Sequence, residues 1–196
     1  DFVHLLQDSV ELRSRYSGWS SGFDVTFDFY FIEGTPYRDV LGIDNIFYGS
    51  RGYSYNNDFN QVNPLSMNVL APMGTKHTKV RFTPSGHGFD NNVRCAEFCD
   101  KEYYLKVNNA LIASGNMWKD DCGMNALYPQ GGTWVLDRAN WCPGEAVPVL
   151  EHELGTLVNS SAVANIDIDL EDYNWSGTQQ PSHIMSIQTE CYGEYN

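Results

Sequence analysis

Hydrophobic and polar residues alternate strictly along residues 23–31 of the chain. Four phenylalanines and one valine occupy the odd positions, whereas aspartate, threonine and tyrosine occupy the even ones. A two-residue period puts one set of side chains on each face of a β-strand, so this stretch predicts a half-buried strand. Ile166, Ile168 and Leu170 repeat the pattern with acidic residues between them. They predict a second strand of the same kind.

Shorter runs between clusters of Gly, Pro, Asn and Ser predict further strands, at residues 39–48, 79–83, 102–107, 147–154 and 183–189. Only residues 3–12 hold an amphipathic helical period. The Asn-rich stretch 53–64 predicts a polar edge or binding loop. The fold class is therefore predicted to be all-β, an antiparallel jelly-roll sandwich of about eight strands in two sheets. Residues 1–196 are expected to form a single domain, with residues 1–20 as a candidate leading extension.

The charge of the chain excludes several classes of function. It has 196 residues, with 12 basic and 25 acidic side chains and a net charge of -13. Nucleic acid or an anionic lipid surface would repel it on average. No apolar run approaches the roughly 20 residues of a membrane-spanning helix, so no membrane span is predicted. The chain begins at Asp1 without a signal segment, from which we expect either a removed leader or a longer product.

Disulfides explain the five cysteines better than zinc ligation does. A zinc site usually shows two close ligand pairs, whereas here only Cys95 and Cys99 are close, and Cys122 and Cys142 stand twenty positions apart. We predict these two pairs as disulfides and Cys191 as unpaired. Loop closure would contribute about 2 kcal/mol for the short bridge and about 3 kcal/mol for the long one. Disulfides imply an oxidising compartment, so the protein is predicted to be exported: secreted, periplasmic or on the cell surface.

Three short motifs occur in order along the chain: GHG at 86–88, CAEFC at 95–99 and DRANWCPG at 137–144. In order and spacing they resemble the second, carboxyl-terminal jelly-roll domain of the peptide:N-glycosidase F family. The resemblance implies two stacked eight-stranded jelly rolls that share one cleft. It also implies hydrolysis, without a metal or another cofactor, of the amide between the first N-acetylglucosamine of an N-glycan and asparagine. An N-terminal jelly-roll domain of the same protein is then the expected partner, and this chain is one half of a larger two-domain protein.

The same resemblance identifies five candidate site residues. Glu97 and Arg138 are the candidate catalytic residues, and His87, Phe98 and Trp141 are candidates for binding the N-glycan or glycopeptide. Carboxylates commonly carry the proton transfers of amide hydrolysis, a guanidinium can orient a carboxylate or bind a sugar, and aromatic faces can stack on pyranose rings. Each residue type also has a structural alternative, as a surface acid, a salt-bridged arginine, a hydrogen-bonded histidine or a core aromatic.

The chain departs from the family pattern in two respects. The aspartate that activates the nucleophile in the family lies in the first domain, and Phe98 stands where the family commonly has tryptophan. A single carboxylate cannot readily both activate water and serve the leaving group. We therefore expect the chain alone to be an incomplete amidase. Trp134, which precedes two apolar residues, is predicted to lie in the core.

The sequence allows two alternatives to the amidase. A copper-dependent monooxygenase-like domain, from the wider superfamily of the same fold, would need a His-x-His pair, and none of the five histidines forms one. The residues His152 and Glu153 begin like the zinc-protease motif HExxH, but Thr156 stands where the second histidine would be. No metal site is predicted, which leaves copper chemistry as the minor alternative. The main alternative is a non-catalytic module that binds a glycan or glycopeptide.

The acidic residues at the end of the second alternating stretch allow two interpretations. Asp167, Asp169, Glu171 and Asp172 are close in sequence and offer the oxygen ligands that calcium prefers. In an alternating strand, however, such residues form the solvent face. The solvent face is the simpler interpretation.

Overall fold

The computed structural model describes residues 11, 24–53, 58–89, 94–126, 131–161, 163–173, 175 and 179–195. Within them eight strands form two four-stranded antiparallel sheets. The strands are β1 (Arg38–Gly52), β2 (Ser66–Leu70), β3 (His77–His87), β4 (Glu102–Val107), β5 (Ala110–Asn116), β6 (Leu150–Gly155), β7 (Val163–Leu170) and β8 (Ser182–Tyr195). One short helix, α1 (Phe59–Val62), and one 3-10 turn (Cys122–Met124) complete these parts of the chain.

The strands pair in a nested order. β1 pairs with β8, β2 with β7, β3 with β6 and β4 with β5. The sheet orders that result are β1-β8-β3-β6 and β2-β7-β4-β5. This is the eight-stranded jelly roll, so the predicted fold class is confirmed.

The core lies between the two sheets and is built from alternate residues of each strand. Val80 and Phe82 of β3 are fully buried, and Ile166 and Ile168 of β7 face them from the other sheet. Phe82 contacts Tyr103 of β4 across the sandwich, with ring centroids 5.4 Å apart. Each large apolar side chain buried in this way contributes roughly 1.5–3 kcal/mol. The alternation therefore determines which face of each strand points inward.

The strand predicted at residues 23–31 is wrong for the part that the structure describes, residues 24–31. These residues form no strand, and Phe27, Phe29 and Phe31 are 53%, 54% and 84% exposed. Alternation specifies a strand only where a sheet edge and a core are available to receive it. Among the described residues, neither sheet pairs with this segment.

The predicted polar loop at 53–64 is partly structured. Asp58 caps α1 by accepting a hydrogen bond from the Asn60 N–H, and Phe59 is fully buried against Tyr53, with ring centroids 4.6 Å apart. Residues 54–57 lie outside the described part of the chain. So do the predicted helix at 3–12, except for Glu11, and nearly all of the candidate leading extension.

Sequence periodicity missed two strands, β2 and β5, which are both edge strands with several exposed side chains. A two-residue turn, Asn108-Asn109, joins β4 to β5, and both residues have positive φ (49° and 66°). Asparagine tolerates this left-handed conformation, and two such residues suit a tight hairpin. The Asn-Asn pair was the signal that could have revealed β5.

The acidic residues of β7 lie on the outer face of the second sheet. The Lys106 ammonium on neighbouring β4 forms ion pairs with Asp167 and Asp169, and Lys101 pairs with Glu171 at 2.8 Å. This arrangement matches the solvent-face interpretation, since lysines neutralise the carboxylates. No helix in the described ranges is long and apolar enough to cross a membrane.

Candidate active site

Three segments of backbone meet where β3 ends. They are the end of β3, the loop closed by Cys95 and Cys99, and the loop that leads to Trp141. The Gly86 N–H donates to the Ala139 carbonyl at 3.0 Å, and the Ala139 N–H donates to the Glu97 carbonyl at 2.9 Å. The Glu97 N–H in turn donates to the Gly88 carbonyl at 3.0 Å. The three sequence motifs therefore form one hydrogen-bonded unit.

Gly86 permits this close approach. A Cβ at this position would lie 2.4 Å from the Ala96 carbonyl oxygen and 2.6 Å from the Ala139 Cβ. No flexible side chain could move to make room for it. Any residue other than glycine would push apart the two loops that carry Glu97 and Arg138.

Both predicted disulfides are confirmed. Cys95 bonds to Cys99 and Cys122 bonds to Cys142, with Cα atoms 4.9 Å and 5.2 Å apart. Cys191 is free and buried. The short bridge closes the loop that carries Glu97, and the long bridge ties the end of the Arg138 loop to the 3-10 turn.

Glu97 and Arg138, 41 positions apart in sequence, form an ion pair at 3.2 Å. The second oxygen of Glu97 accepts a hydrogen bond from the Gly88 N–H at 3.2 Å. Arg138 is only 3% exposed, and its other N–H groups donate to the Leu136 carbonyl at 3.1 Å and to the carbonyl and hydroxyl oxygens of Thr133. The guanidinium is thus fixed, and it holds the carboxylate in one orientation.

Aromatic side chains surround this ion pair. The guanidinium carbon of Arg138 lies 5.0 Å from the Phe98 ring centroid and 4.8 Å from that of Trp141. The Trp141 indole N–H donates to the Gly86 carbonyl at 2.7 Å, and the His87 ring lies 4.9 Å from the Trp141 ring. The five predicted site residues therefore lie together. Trp134, as predicted, is buried.

Burial dominates the electrostatics of the site. It raises the pKa of the Glu97 carboxyl, although the positive charge of Arg138 and the Gly88 N–H act in the opposite direction. It lowers the pKa of His87, and the charge of Arg138 lowers that pKa further. Burial also lowers the pKa of Arg138, which Glu97 opposes. The site thus combines a carboxyl group that takes up a proton more readily than usual with an uncharged imidazole at neutral pH.

A cavity of about 480 Å³ opens beside the ion pair, lined by Phe89, Arg94, Phe98, Thr133, Leu136 and Asp137. The wall of the cavity combines apolar side chains with one basic residue, Arg94, and one acidic residue, Asp137. Arg94 has a φ of 61°, a left-handed conformation that is costly for a residue with a Cβ. Sequence reasoning overlooked Phe89 and Arg94, because neither belongs to a motif.

Sequence reasoning also overlooked a buried pair behind the site. The fully buried His183 of β8 lies with its Nε2 3.0 Å from the Tyr53 hydroxyl. His183 is the β8 residue opposite Gly86 in the ladder. Burial lowers the pKa of His183 to about 3, so it packs behind the site as a neutral ring. No local pattern connects Tyr53 with His183, which are 130 positions apart.

The described residues contain one cluster with the composition of a metal site: Asp121, Cys142 and Glu145. Cys142 is already bonded to Cys122. The Lys119 ammonium lies 2.6 Å from Asp121 and 3.0 Å from Glu145. The Lys119 ammonium thus already forms ion pairs with both carboxylates of this cluster.

Comparison with known proteins identifies relatives of this sandwich. Residues 54–188 match the family described as Peptide-N-glycosidase F, C terminal. The peptide-N(4)-(N-acetyl-beta-D-glucosaminyl)asparagine amidase F of Elizabethkingia miricola is 29% identical over an aligned length of 194 residues, and the alignment covers 90% of this chain and 51% of that protein. The chain therefore spans about half the length of this relative.

Solved structures share the fold. PNGase F, a glycosylasparaginase from Flavobacterium meningosepticum, superposes with a TM-score of 0.69 at 22% identity, covering 83% of this chain and 55% of that one. PNGF-II, in its C2 space group, has a TM-score of 0.60 at 19% identity, covering 81% and 30% of the two chains. At this level of identity the likeness establishes the fold alone.

Proposed function

The chain belongs to the family of the peptide-N-glycosidase F carboxyl-terminal domain, and on that premise we propose that it is the carboxyl-terminal half of an exported amidase. The proposed reaction is hydrolysis of the amide that joins N-acetylglucosamine to asparagine in N-glycopeptides. Water attacks the side-chain carbonyl carbon, the C–N bond breaks, and the sugar amine leaves with a proton. The peptide keeps an aspartate in place of the asparagine.

The observation that carries this proposal is the Glu97–Arg138 pair, whose guanidinium contacts two residues that line an open cavity, Phe98 and Thr133. An acid with a raised pKa suits a proton donor to the departing nitrogen, because it is protonated in a larger fraction of molecules near neutral pH. Arg138 has most of its N–H groups engaged by the protein. Its proposed role is therefore to orient Glu97, with any remaining N–H directed at the substrate.

Aromatic side chains support a carbohydrate ligand. Phe98 and Trp141 flank the guanidinium, and His87 stacks near Trp141. The C–H groups of a pyranose ring pack well on such faces. We assign His87, Phe98 and Trp141 to binding of the N-glycan core, with the peptide or the next sugar in the cavity lined by Phe89 and Leu136.

A second acid is required to activate water, since Glu97 serves the leaving group. We propose that a preceding jelly-roll domain of the same protein supplies it across a shared cleft. Asp137, next to Arg138 in the chain, lines the cavity, and we assign it no role. The two disulfides support folding in an oxidising compartment, hence export.

The second candidate function is a module that binds N-glycans without cleaving them. The same ion pair favours it, because a buried arginine with most of its N–H groups hydrogen-bonded is also a common structural element. The two functions differ in whether Glu97 must change its protonation state. Binding needs only its shape and charge.

The deciding experiment incubates the complete polypeptide with a denatured N-glycoprotein and follows the peptide mass. Conversion of glycosylated Asn to Asp supports the amidase. Glu97→Gln should lower the rate by about 10²–10⁴, and Asp100→Asn, an exposed acid three residues away, is the matched control that should not. Binding of the glycopeptide without conversion supports the module. If the protein neither converts nor binds it, both candidates fail.

A further inference from the structure

The exposed alternating segment at residues 24–32 has no function in the sandwich described above. Its apolar side chains at odd positions, Val25, Phe27, Phe29 and Phe31, are all exposed, and so is Ile32. Soluble domains rarely leave so many large apolar groups in one short stretch facing water, unless the stretch is an interaction site. The even positions carry Asp24, Thr26 and Asp28, followed by Tyr30 and Ile32 at the end of the segment. The segment thus has one face suited to a core and one suited to solvent.

We propose that residues 24–32 form a β-strand that pairs with the edge of a sheet in an amino-terminal β domain of the same polypeptide. The strand would place its odd residues in the core of that domain and leave Asp24, Thr26 and Asp28 in water. The proposal rests on the two-domain part of the proposed function and is independent of the amidase reaction. It assigns this segment of the chain to the neighbouring domain.

The likeness to the amidase of Elizabethkingia miricola supports this assignment. The alignment covers 90% of this chain, more than the sandwich from Arg38 to Tyr195 can supply. The likeness therefore includes residues ahead of Arg38, among which the alternating segment lies. The same alignment leaves about half of the relative unmatched. That half is long enough to contain the sheet that this strand would join.

The local backbone separates the segment from β1. Gly34 has a positive φ of 147° and no atom near the position of a Cβ, and Pro36 lacks a backbone N–H for a sheet ladder. Tyr37 then packs on Tyr195 of β8, with ring centroids 4.9 Å apart. The sheet pairing of β1 begins at Arg38 and thus does not extend back through residues 33–37 into the segment. Two strands on either side of such a break can belong to different sheets.

A second copy of the chain is a poorer partner than an amino-terminal domain. If two copies of the segment paired antiparallel about Thr26, Asp24 of one strand would lie opposite Asp28 of the other. Like charges directly opposite each other destabilise a strand pair. The net charge of -13 adds a general repulsion between copies. A sheet of different sequence avoids both penalties.

Hydrogen exchange followed by mass spectrometry tests the proposal in the complete polypeptide and in the 196-residue chain. Amides of residues 24–32 should exchange at least about 100-fold more slowly in the complete polypeptide, because only there would they enter a ladder. Amides of β8 should be equally protected in both proteins, which shows that the sandwich is folded in each. The double variant Phe27→Ser/Phe29→Ser should remove the protection. Its matched control on the opposite face, Thr26→Ser/Asp28→Ser, should keep it.

Three outcomes would overturn the proposal. Fast exchange at 24–32 in the complete polypeptide would mean that no strand forms. Equal protection in the dilute 196-residue chain would mean that the strand pairs within this chain, and protection that grows with its concentration would identify a second copy as the partner. Loss of amidase activity with a protected segment would refute the reaction alone. Activity with an unprotected segment would refute the strand alone.

Discussion

His183 makes the stability of this protein depend on pH by an amount that its surroundings allow us to estimate. The ring is fully buried, its Nε2 contacts the Tyr53 hydroxyl at 3.0 Å, and its Nδ1 has no hydrogen-bond partner among the described residues. Phe59 packs edge-on against it, with ring centroids 6.2 Å apart. A protonated ring here would carry a charge, and an extra N–H, into the core. Burial, with a smaller contribution from His87, accordingly lowers its pKa from 6.5 to about 3.

Acid lowers the stability of the folded chain at this position because only the unfolded chain binds the proton. Between these two pKa values the unfolded chain binds a proton at His183 and the folded chain does not, so acid favours unfolding. The stability that depends on a neutral His183 is fully present above pH 6.5 and is lost as the pH falls towards about 3. One pKa unit corresponds to about 1.36 kcal/mol, so the whole effect is about 5 kcal/mol. About 2–3 kcal/mol of this stability is lost between pH 7 and pH 4.5.

Urea unfolding of the wild type and of His183→Gln at pH 7 and pH 4.5 measures this effect. The amide of glutamine can keep a hydrogen bond to Tyr53 but does not titrate. The variant will be less stable at pH 7, yet it should lose about 2–3 kcal/mol less stability than the wild type on acidification. His77 begins β3, at the end of that strand far from His183. His77→Gln is therefore the control, and its stability should retain the wild-type pH dependence. If the wild type and His183→Gln lose the same stability, within about 0.5 kcal/mol, the burial argument is refuted.

Three further predictions concern the site. Gly86→Ala should lower the free energy of unfolding by about 1–3 kcal/mol or more, and the melting temperature by roughly 2–12 °C, because its Cβ would meet a carbonyl oxygen at 2.4 Å. Gly123→Ala is the control, because a Cβ there would lie 3.7 Å from its nearest neighbouring atom, and its free energy of unfolding should stay within about 0.5 kcal/mol of the wild type. Equal melting temperatures for the two variants would contradict the close approach at Gly86. Arg94→Gly should be more stable than Arg94→Ala by about 1 kcal/mol in urea unfolding, since only glycine relieves the left-handed φ of 61°; the reverse order would show that this conformation is unstrained. Cys122→Ser should lower the free energy of unfolding by about 3 kcal/mol and Cys99→Ser by about 2 kcal/mol. The rate of amide cleavage should nevertheless fall further in Cys99→Ser, because the short bridge holds the loop that carries Glu97. If the loss of activity in the two variants simply follows their loss of stability, this role of the short bridge is refuted.

The sequence predicted the elements whose pattern is local. β7 was recognised because its inward residues, such as Ile166 and Ile168, repeat every second position, and β4 was recognised as a short run between turn-forming residues. The two disulfides were recognised from cysteine spacing, and the site residues from motifs of a few consecutive positions. Edge strands such as β5 were not recognised from periodicity, because an exposed strand has less need of apolar side chains at alternate positions.

Contacts between distant residues required the tertiary structure. The 3.2 Å pair of Glu97 with Arg138 and the contact of Tyr53 with His183 join positions that no local period links. Their pKa values depend on burial, which is a property of the folded chain rather than of any segment.

Residues 24–31 show the same difference between what the sequence and what the tertiary structure determine, here for a segment whose pattern predicts a strand that the sandwich does not contain. By itself, the sequence determined that this segment has an apolar face and a polar face, because alternation is a property of consecutive residues. Only the tertiary structure decided that no described strand of this sandwich pairs with it. A strand gains its stability from neighbouring strands and from a core, and both come from parts of a protein that are distant in sequence.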